Sequence, residues 1–423
     1  MSTKAHAQKR LAFVDSLRGL AVVFMVPLHT SHGWVRLDAR QGDVWAASQF
    51  FGGLAAPIFL TLTGVSLGLQ WADAQARGRT PRITYDLARG LRLILMGYLL
   101  RLQMWVLDGG GYASPRAYLG QALLLGAYGL AYYAVGLLPT RPQRAGVLTL
   151  VAIALFAIGM HQVALQIPER ARNLLRVDVL QCIGAALVVL TGIAAARGSR
   201  FAGMKLYLFA ALCIAIATAW VRDSLPGALP EALAGYLGQW TPAPGKPVIG
   251  LFPLFPWLSY ALEGAALGLF WGKAQSEAHI QTSVIAFSAL GAFIALITSE
   301  SWTPVFHLLR DQAWLTQPAR VAYRMGLVLM LFGIAFAARQ RFSSASLAQS
   351  PPPLTVLGRA SLLVYWVHLE FAFGAASVPL ARRLDMRGWA AGSLVLLCAM
   401  WLLAYVRVVR PRLPLQARGP APG

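Results

Sequence analysis

Apolar runs recur along the whole 423-residue chain, broken by short stretches rich in glycine, proline and charge. A run of about 20 apolar residues is long enough to cross a hydrocarbon layer of roughly 30 Å as a helix. Twelve helices are predicted, over residues 11–35, 45–72, 84–107, 117–138, 145–167, 174–196, 203–221, 249–271, 282–299, 320–338, 354–376 and 388–407. Breakers separate several of them: "DGGGYASP" after the third, "LPTRPQ" after the fourth and "SPPP" before the eleventh. The expected fold class is all-α, a polytopic transmembrane bundle of 11–12 helices with a cytoplasmic N-terminus. Residues 1–10 and 409–423 are expected to be cytoplasmic tails, and 11–408 a single transmembrane domain. Residues 222–248, with Pro226, Pro230, Pro242, Pro244 and Pro247, are expected to be irregular. Residues 300–319, with Trp302 and Trp314, are expected to lie along the interface.

Composition agrees with this pattern. Hydrophobic residues make up 57% of the chain and charged residues 13%, more apolar surface than a soluble core can hide. The formal net charge of +21 needs no nucleic-acid partner, because Lys and Arg collect in the cytoplasmic loops of membrane proteins. Twelve spans with the N-terminus inside put 20 of the 37 basic residues in cytoplasmic segments. Cys182, Cys213 and Cys398 show neither a disulfide framework nor a zinc spacing, and no metal site is expected.

Against this apolar background, ionisable residues at membrane depth stand out, since they are costly there unless they face a bundle interior or a wet cavity. They are Asp15, Arg18, His29 and His32 in the first helix; Arg101, Asp178, Glu263 and Arg324 in the middle of the chain; and Arg359, His368 and Glu370 in the eleventh. Asp15, Arg18, Val22, Met25, His29 and His32 follow steps of three and four and so share one helical stripe. His29 lies about 16 Å beyond Arg18 along that helix at 1.5 Å per residue. The eleventh helix repeats the layout, with His368 about 13–14 Å beyond Arg359. Asp15 is placed to pair with Arg18, and Ser361, Tyr365 and His368 share a face, with Arg359 pointing elsewhere.

Five blocks, in order, resemble the heparan-alpha-glucosaminide N-acetyltransferase-like proteins of the transmembrane acyltransferase superfamily: "FVDSLRGLAVVFMVPLH", "APIFLTLTGVSLGL", "LLRVDVLQCIGAALVVL", "FPLFPWLSYALEGAALG" and "LGRASLLVYWVHLEF". The bacterial branch is the nearer likeness. The resemblance implies transfer of an acyl group, typically acetyl, from cytosolic acyl-CoA to a sugar amine or hydroxyl across the membrane. It implies roles for Asp15, Arg18 and Gly19 at the start of helix one, for His29 and His368, and for Leu180 and Gln181 in the middle block. Three positions depart from the pattern. Leu28 stands where many bacterial relatives have Asp, "DVWAAS" lacks the histidine of the lysosomal branch, and Leu54-Ala55-Ala56-Pro57 lacks its acid. Residues 117–167 match no block and read as an addition.

The expected catalytic set is His29, His368, His32 and Asp15. His29 serves as general base or acyl carrier. Arg18, Arg359, Gln181, Glu263 and Tyr365 are expected to bind substrate. Acyl-CoA, acetyl-CoA first, is a donor substrate and not a resident cofactor. The expected partners are that donor, a sugar or glycan acceptor and membrane lipids, with a homodimer one candidate assembly and a bacterial inner membrane the expected location. Two other classes use the same residues. One is a proton-coupled exporter of a small molecule or lipid-linked sugar, and the other a non-catalytic membrane protein of the same fold.

Overall fold

The computed structural model describes residues 12–80, 82–107, 114–197, 203–224, 229–238, 250–274, 276–299, 313–343 and 351–409. The predicted tails, apart from Val409, the "DGGG" break and most of the 300–319 stretch lie outside the described residues. The described residues form helices α1 (Ala12–Trp34), α2 (Gly42–Gly52), α3 (Ala55–Ala76), α4 (Ile83–Leu107), α5 (Pro115–Leu137), α6 (Pro142–Gln166), α7 (Pro168–Leu174) and α8 (Val179–Arg197). They continue as α9 (Met204–Ser224), α10 (Glu231–Leu237), α11 (Leu254–Gly272), α12 (Glu277–Ile297), α13 (Ala313–Ser343), α14 (Pro353–Arg359), α15 (Ser361–Phe373) and α16 (Met386–Val408). The chain is an all-α, multi-pass membrane protein. Among the described residues, nine helices are long and apolar enough to cross a membrane, ten if the bent pair α14–α15 counts as one span. Tyrosines, glycines and Gln121 dilute α5, and Pro256, Trp257 and Glu263 dilute α11, leaving both below that mark.

Every predicted span has a helical counterpart, but two are broken. The second parts at Gly53-Leu54 into α2 and α3. The eleventh, expected as one helix over 354–376, bends by 84° at Ala360 and ends at Phe373. Residues 222–248, expected to be irregular, include the helical turns of α10, started by Pro230, whose fixed φ suits the position before a helix. Residues 225–228 and 239–249 lie outside the described residues.

The chain divides into two compact units. One comprises the described parts of Met1–Ile58, Ser283–Ala292 and Leu327–Gly423; the other those of Phe59–Thr282 and Phe293–Gly326. In the second, small residues bring helices into backbone contact. A Cβ at Gly64 or Gly68 would strike α11 at Ala261 or Ala265, and one at Gly264 or Gly268 would strike α3 at Thr61 or Val65. The "LTGVSLG" spacing is therefore a packing seam. Leu102, Trp105, Leu124, Tyr128, Val163, Ala171 and Leu174 form a buried cluster that holds the α5–α6 hairpin to α4 and α7. Val147, Leu150, Val151, Ile153 and Ile158 stay exposed along α6, as a lipid-facing surface requires.

In the first unit α1 is the central strut. Gly19 meets the Leu354 backbone and Gly358 meets the carbonyl of Asp15, so α14 lies directly on the start of α1. Ser16 and Thr355 hydroxyls bond across that contact at 2.9 Å. At the other end Gly33 meets the Ala372 carbonyl, and Trp34 Nε1 donates to Phe371 O at 2.8 Å. Backbone bonds from Arg382 N to Gly33 O and from Leu384 N to Trp34 O, each 3.0 Å, complete the attachment.

Candidate functional site

The stripe read from α1 resolves into two polar clusters at opposite ends of the helix. At the first, Asp15 is 3% exposed and uses its two carboxylate oxygens separately. Oδ1 accepts from Arg18 Nη1 at 3.1 Å, and Oδ2 accepts from Arg359 Nε at 3.4 Å. The pairing with Arg18 follows from the three-residue spacing. The second partner depends on the bend at Ala360, which directs α14 back along α1 and carries Arg359, the last residue of α14, to Asp15. Arg359 does point away from the His368 face, and this ion pair is where it goes. Two guanidinium groups thus share one carboxylate. Both arginines keep about a fifth of their side-chain surface accessible.

Some fourteen residues on, about 21 Å along the helix at 1.5 Å per residue, His29 meets His368. His29 Nδ1 lies 2.8 Å from His368 Nε2, with the rings 5° from parallel. His368 is 0% exposed and His29 partly exposed. His368 Nδ1 lies 2.8 Å from the carbonyl oxygen of Val364, one turn earlier in α15. A carbonyl only accepts, so this bond assigns the proton of neutral His368 to Nδ1 and leaves its Nε2 as an acceptor. His29 must then donate from Nδ1. Its Nε2 keeps the lone pair, on the more accessible of the two rings. The chain of bonds thus runs from the Val364 carbonyl through His368 to a basic nitrogen on His29.

Surrounding residues fix the His29 turn. Pro27 has no N–H and releases the Val23 carbonyl from the helical ladder. Trp389 Nε1 from α16 donates to Pro27 O at 3.2 Å and to Thr30 Oγ1 at 3.1 Å, and Thr30 Oγ1 lies 2.7 Å from Ser393 Oγ. The Phe373 ring stands 5.7 Å from His29, and Tyr365 lies edge-on to His368 at 5.7 Å. Sequence reasoning missed Trp389 and Thr30. The proline two residues before His29 was the one available signal that this turn needs outside support.

The other sequence-selected residues lie elsewhere. His32 is exposed; its Nε2 is 2.7 Å from Gln49 Oε1 and its ring is 5.8 Å from Trp45, so it stands outside the histidine pair. Glu263 belongs to the second unit, where its Oε2 is buried without a hydrogen-bond partner among the described residues. Gln181 is fully buried at the start of α8, beside the Arg101–Asp178 ion pair. Among the described residues no group of three or more His, Cys, Asp or Glu side chains is arranged to hold a metal ion.

A family model described as "Heparan-alpha-glucosaminide N-acetyltransferase, catalytic" matches residues 10–303. That stretch holds Asp15, Arg18, His29, Gln181 and Glu263 and encloses residues 117–167; Arg359 and His368 lie beyond it. No curated protein compared with the chain matches it.

Proposed function

Because the chain belongs to the heparan-alpha-glucosaminide N-acetyltransferase catalytic family, a family of membrane acetyltransferases, we propose that it moves an acetyl group from cytosolic acetyl-CoA to a sugar amine or hydroxyl on the far side of a bacterial inner membrane. The observation that carries this reading is the His29–His368 bond, which leaves an unprotonated Nε2 on the partly exposed His29.

The arginine cluster is the donor end. Arg18 and Arg359, held by Asp15, offer charge-assisted donors for the phosphates of coenzyme A. The distance along α1 to His29 suits an extended pantetheine arm, with the thioester at the histidines. In direct transfer, His29 Nε2 takes the proton of the acceptor as its nitrogen or oxygen bonds the acyl carbon. The carbon–sulfur bond breaks, and the thiolate leaves with the proton from His29. In the two-step form, Nε2 itself bonds the acyl carbon and the thiolate leaves first. The acceptor then bonds the acyl carbon, the carbon–Nε2 bond breaks, and the acceptor's proton passes to His29 Nε2 and on to the thiolate. In both forms His29 becomes transiently cationic. His368 stabilises that charge through its acceptor Nε2 and the Val364 carbonyl behind it.

The test follows labelled acetyl-CoA with purified protein and glycan acceptors, with His29→Ala as control. Label trapped on the protein, and absent in the variant, marks the two-step form. Label on the acceptor alone marks direct transfer. Undiminished turnover in His29→Ala rules out the assignment.

A further inference from the structure

A second polar site lies in the other unit, at the start of α8. Asp178 precedes this helix, and its carbonyl accepts the first helical bond, from Cys182 N at 3.0 Å. Asp178 Oδ2 is paired with Arg101 Nη2 from α4, and Arg101 Nη1 donates to Asn173 O at 3.2 Å. Gln181 reaches back, its Oε1 accepting from Asp178 N at 3.2 Å. Gly97 of α4 lies against the Gln181 amide, where any Cβ would overlap it. This arrangement explains the orientation of the amide but leaves Gln181 Nε2 with no acceptor among the described residues, on a side chain that is 0% exposed.

Two more buried donors beside it lack acceptors among the described residues, Arg101 Nε and Arg176 Nε. Arg176 stands two residues before Asp178 and interacts electrostatically with both Arg101 and Asp178. It lies between helices, outside the spans; burial and then the Arg101 charge hold its guanidinium below the usual arginine range, while Asp178 pulls it back up. The charge of Arg176 thus adds to that of Arg101 beside the single carboxylate of Asp178. Buried N–H groups without acceptors are costly, and a helix start adds partial positive charge of its own. Every unmet group here is a donor.

We propose that Arg101, Arg176 and Gln181 form a binding site for an anionic oxygen group, a carboxylate or phosphate, at the start of α8. The Arg101–Asp178 pair is the frame of the site. Arg176 and Gln181 Nε2 are its recognition groups. The occupant is the acidic group of a sugar acid, a phosphate ester or an anionic lipid headgroup, all of which present the same oxygens to these donors. The site operates without acyl transfer, so it can fail or stand independently of the proposed reaction.

The experiment uses the full chain in nanodiscs of neutral lipid, with thermal unfolding followed as inorganic phosphate or glucuronate is added. A parallel sample holds phosphatidylglycerol discs without either anion. The expected result is stabilisation by at least one of the three, which also identifies the source of the anion. Arg176→Gln should weaken that response about tenfold in apparent affinity, the scale of one charge-assisted bond. Gln181→Glu separates recognition from architecture. It keeps the acceptor oxygen for Asp178 N but replaces the unmet donor with a tethered carboxylate. The variant should melt higher than the parent without anion and lose the response to added anion. No response to any of the three, or an unchanged response in both variants, overturns the proposal. So does a Gln181→Glu chain that melts lower and still responds.

Discussion

His29 and His368 stand with nearly parallel rings, Nδ1 to Nε2 at 2.8 Å, although 339 residues separate them in the chain. The pair is asymmetric. His368 is buried and tied to a carbonyl, while His29 holds the free nitrogen. Their substitutions should therefore differ in size. His29→Ala should lower kcat by about 10²–10⁴-fold, the range for loss of a positioned base. His368→Ala should cost about 10–100-fold, as loss of an orienting partner does. Acetyl-CoA turnover by the two variants checks this, and equal losses would contradict the division of roles.

His32 shares the helical stripe but turns to Gln49 at the exposed surface. His32→Ala should retain activity within about threefold of the parent, since exposed polar substitutions away from a reacting group change little. A loss as large as that of His29→Ala would move the centre one turn along α1.

Asp15 accepts from both arginines at the other end of α1. Asp15→Asn keeps the shape and removes the charge. Breaking a fully buried pair costs about 3–5 kcal/mol, and the partial exposure of both arginines reduces this to about 1–3 kcal/mol. Thermal unfolding should show that loss. Arg18→Gln should instead raise the KM for acetyl-CoA about tenfold with little change in kcat, the signature of lost donor binding.

Gly358 lies against the carbonyl of Asp15, with no flexible side chain between. Gly358→Ala must push α14 off α1, with a loss of about 2 kcal/mol or more from overpacking. Gly126, which has open space around it, is the matched control. Gly126→Ala should be neutral or slightly stabilising, since alanine favours helix. Parallel melting curves of the two variants make the comparison.

Trp389 supports the His29 turn through Pro27 O and Thr30 Oγ1. Trp389→Phe retains the ring and removes the donor. A cost of about 1 kcal/mol in stability is expected, the net value of such a bond, together with a lower kcat. An unchanged kcat would detach this network from the centre.

Hydropathy made the helices legible, and a three-and-four residue spacing was enough to place Asp15, Arg18 and His29 on one face of α1. What stayed hidden depended on tertiary geometry. The bend at Ala360 has no proline or glycine at the break, and without it Arg359 has no visible route to Asp15. Nor does periodicity report that His32 turns outward while His29 turns in, because both occupy the same stripe. The mutual fit of Gly97 and the Gln181 amide is likewise a property of two helices and belongs to neither sequence alone. The short helix α10 fell in a stretch whose prolines predict irregular chain, yet Pro230 starts the helix.

The two hydrogen bonds that Asp15 accepts also bear on biosynthesis. Arg359 is synthesised 344 residues after Asp15, a delay of roughly 20–70 s at ordinary elongation rates. During that interval α1 must reside in the membrane with a carboxylate whose final partner does not yet exist. Arg18, one turn away on the same helix, neutralises it from the outset. The nearer arginine thus acts as a provisional counter-ion that lets the first helix wait for the last part of the chain.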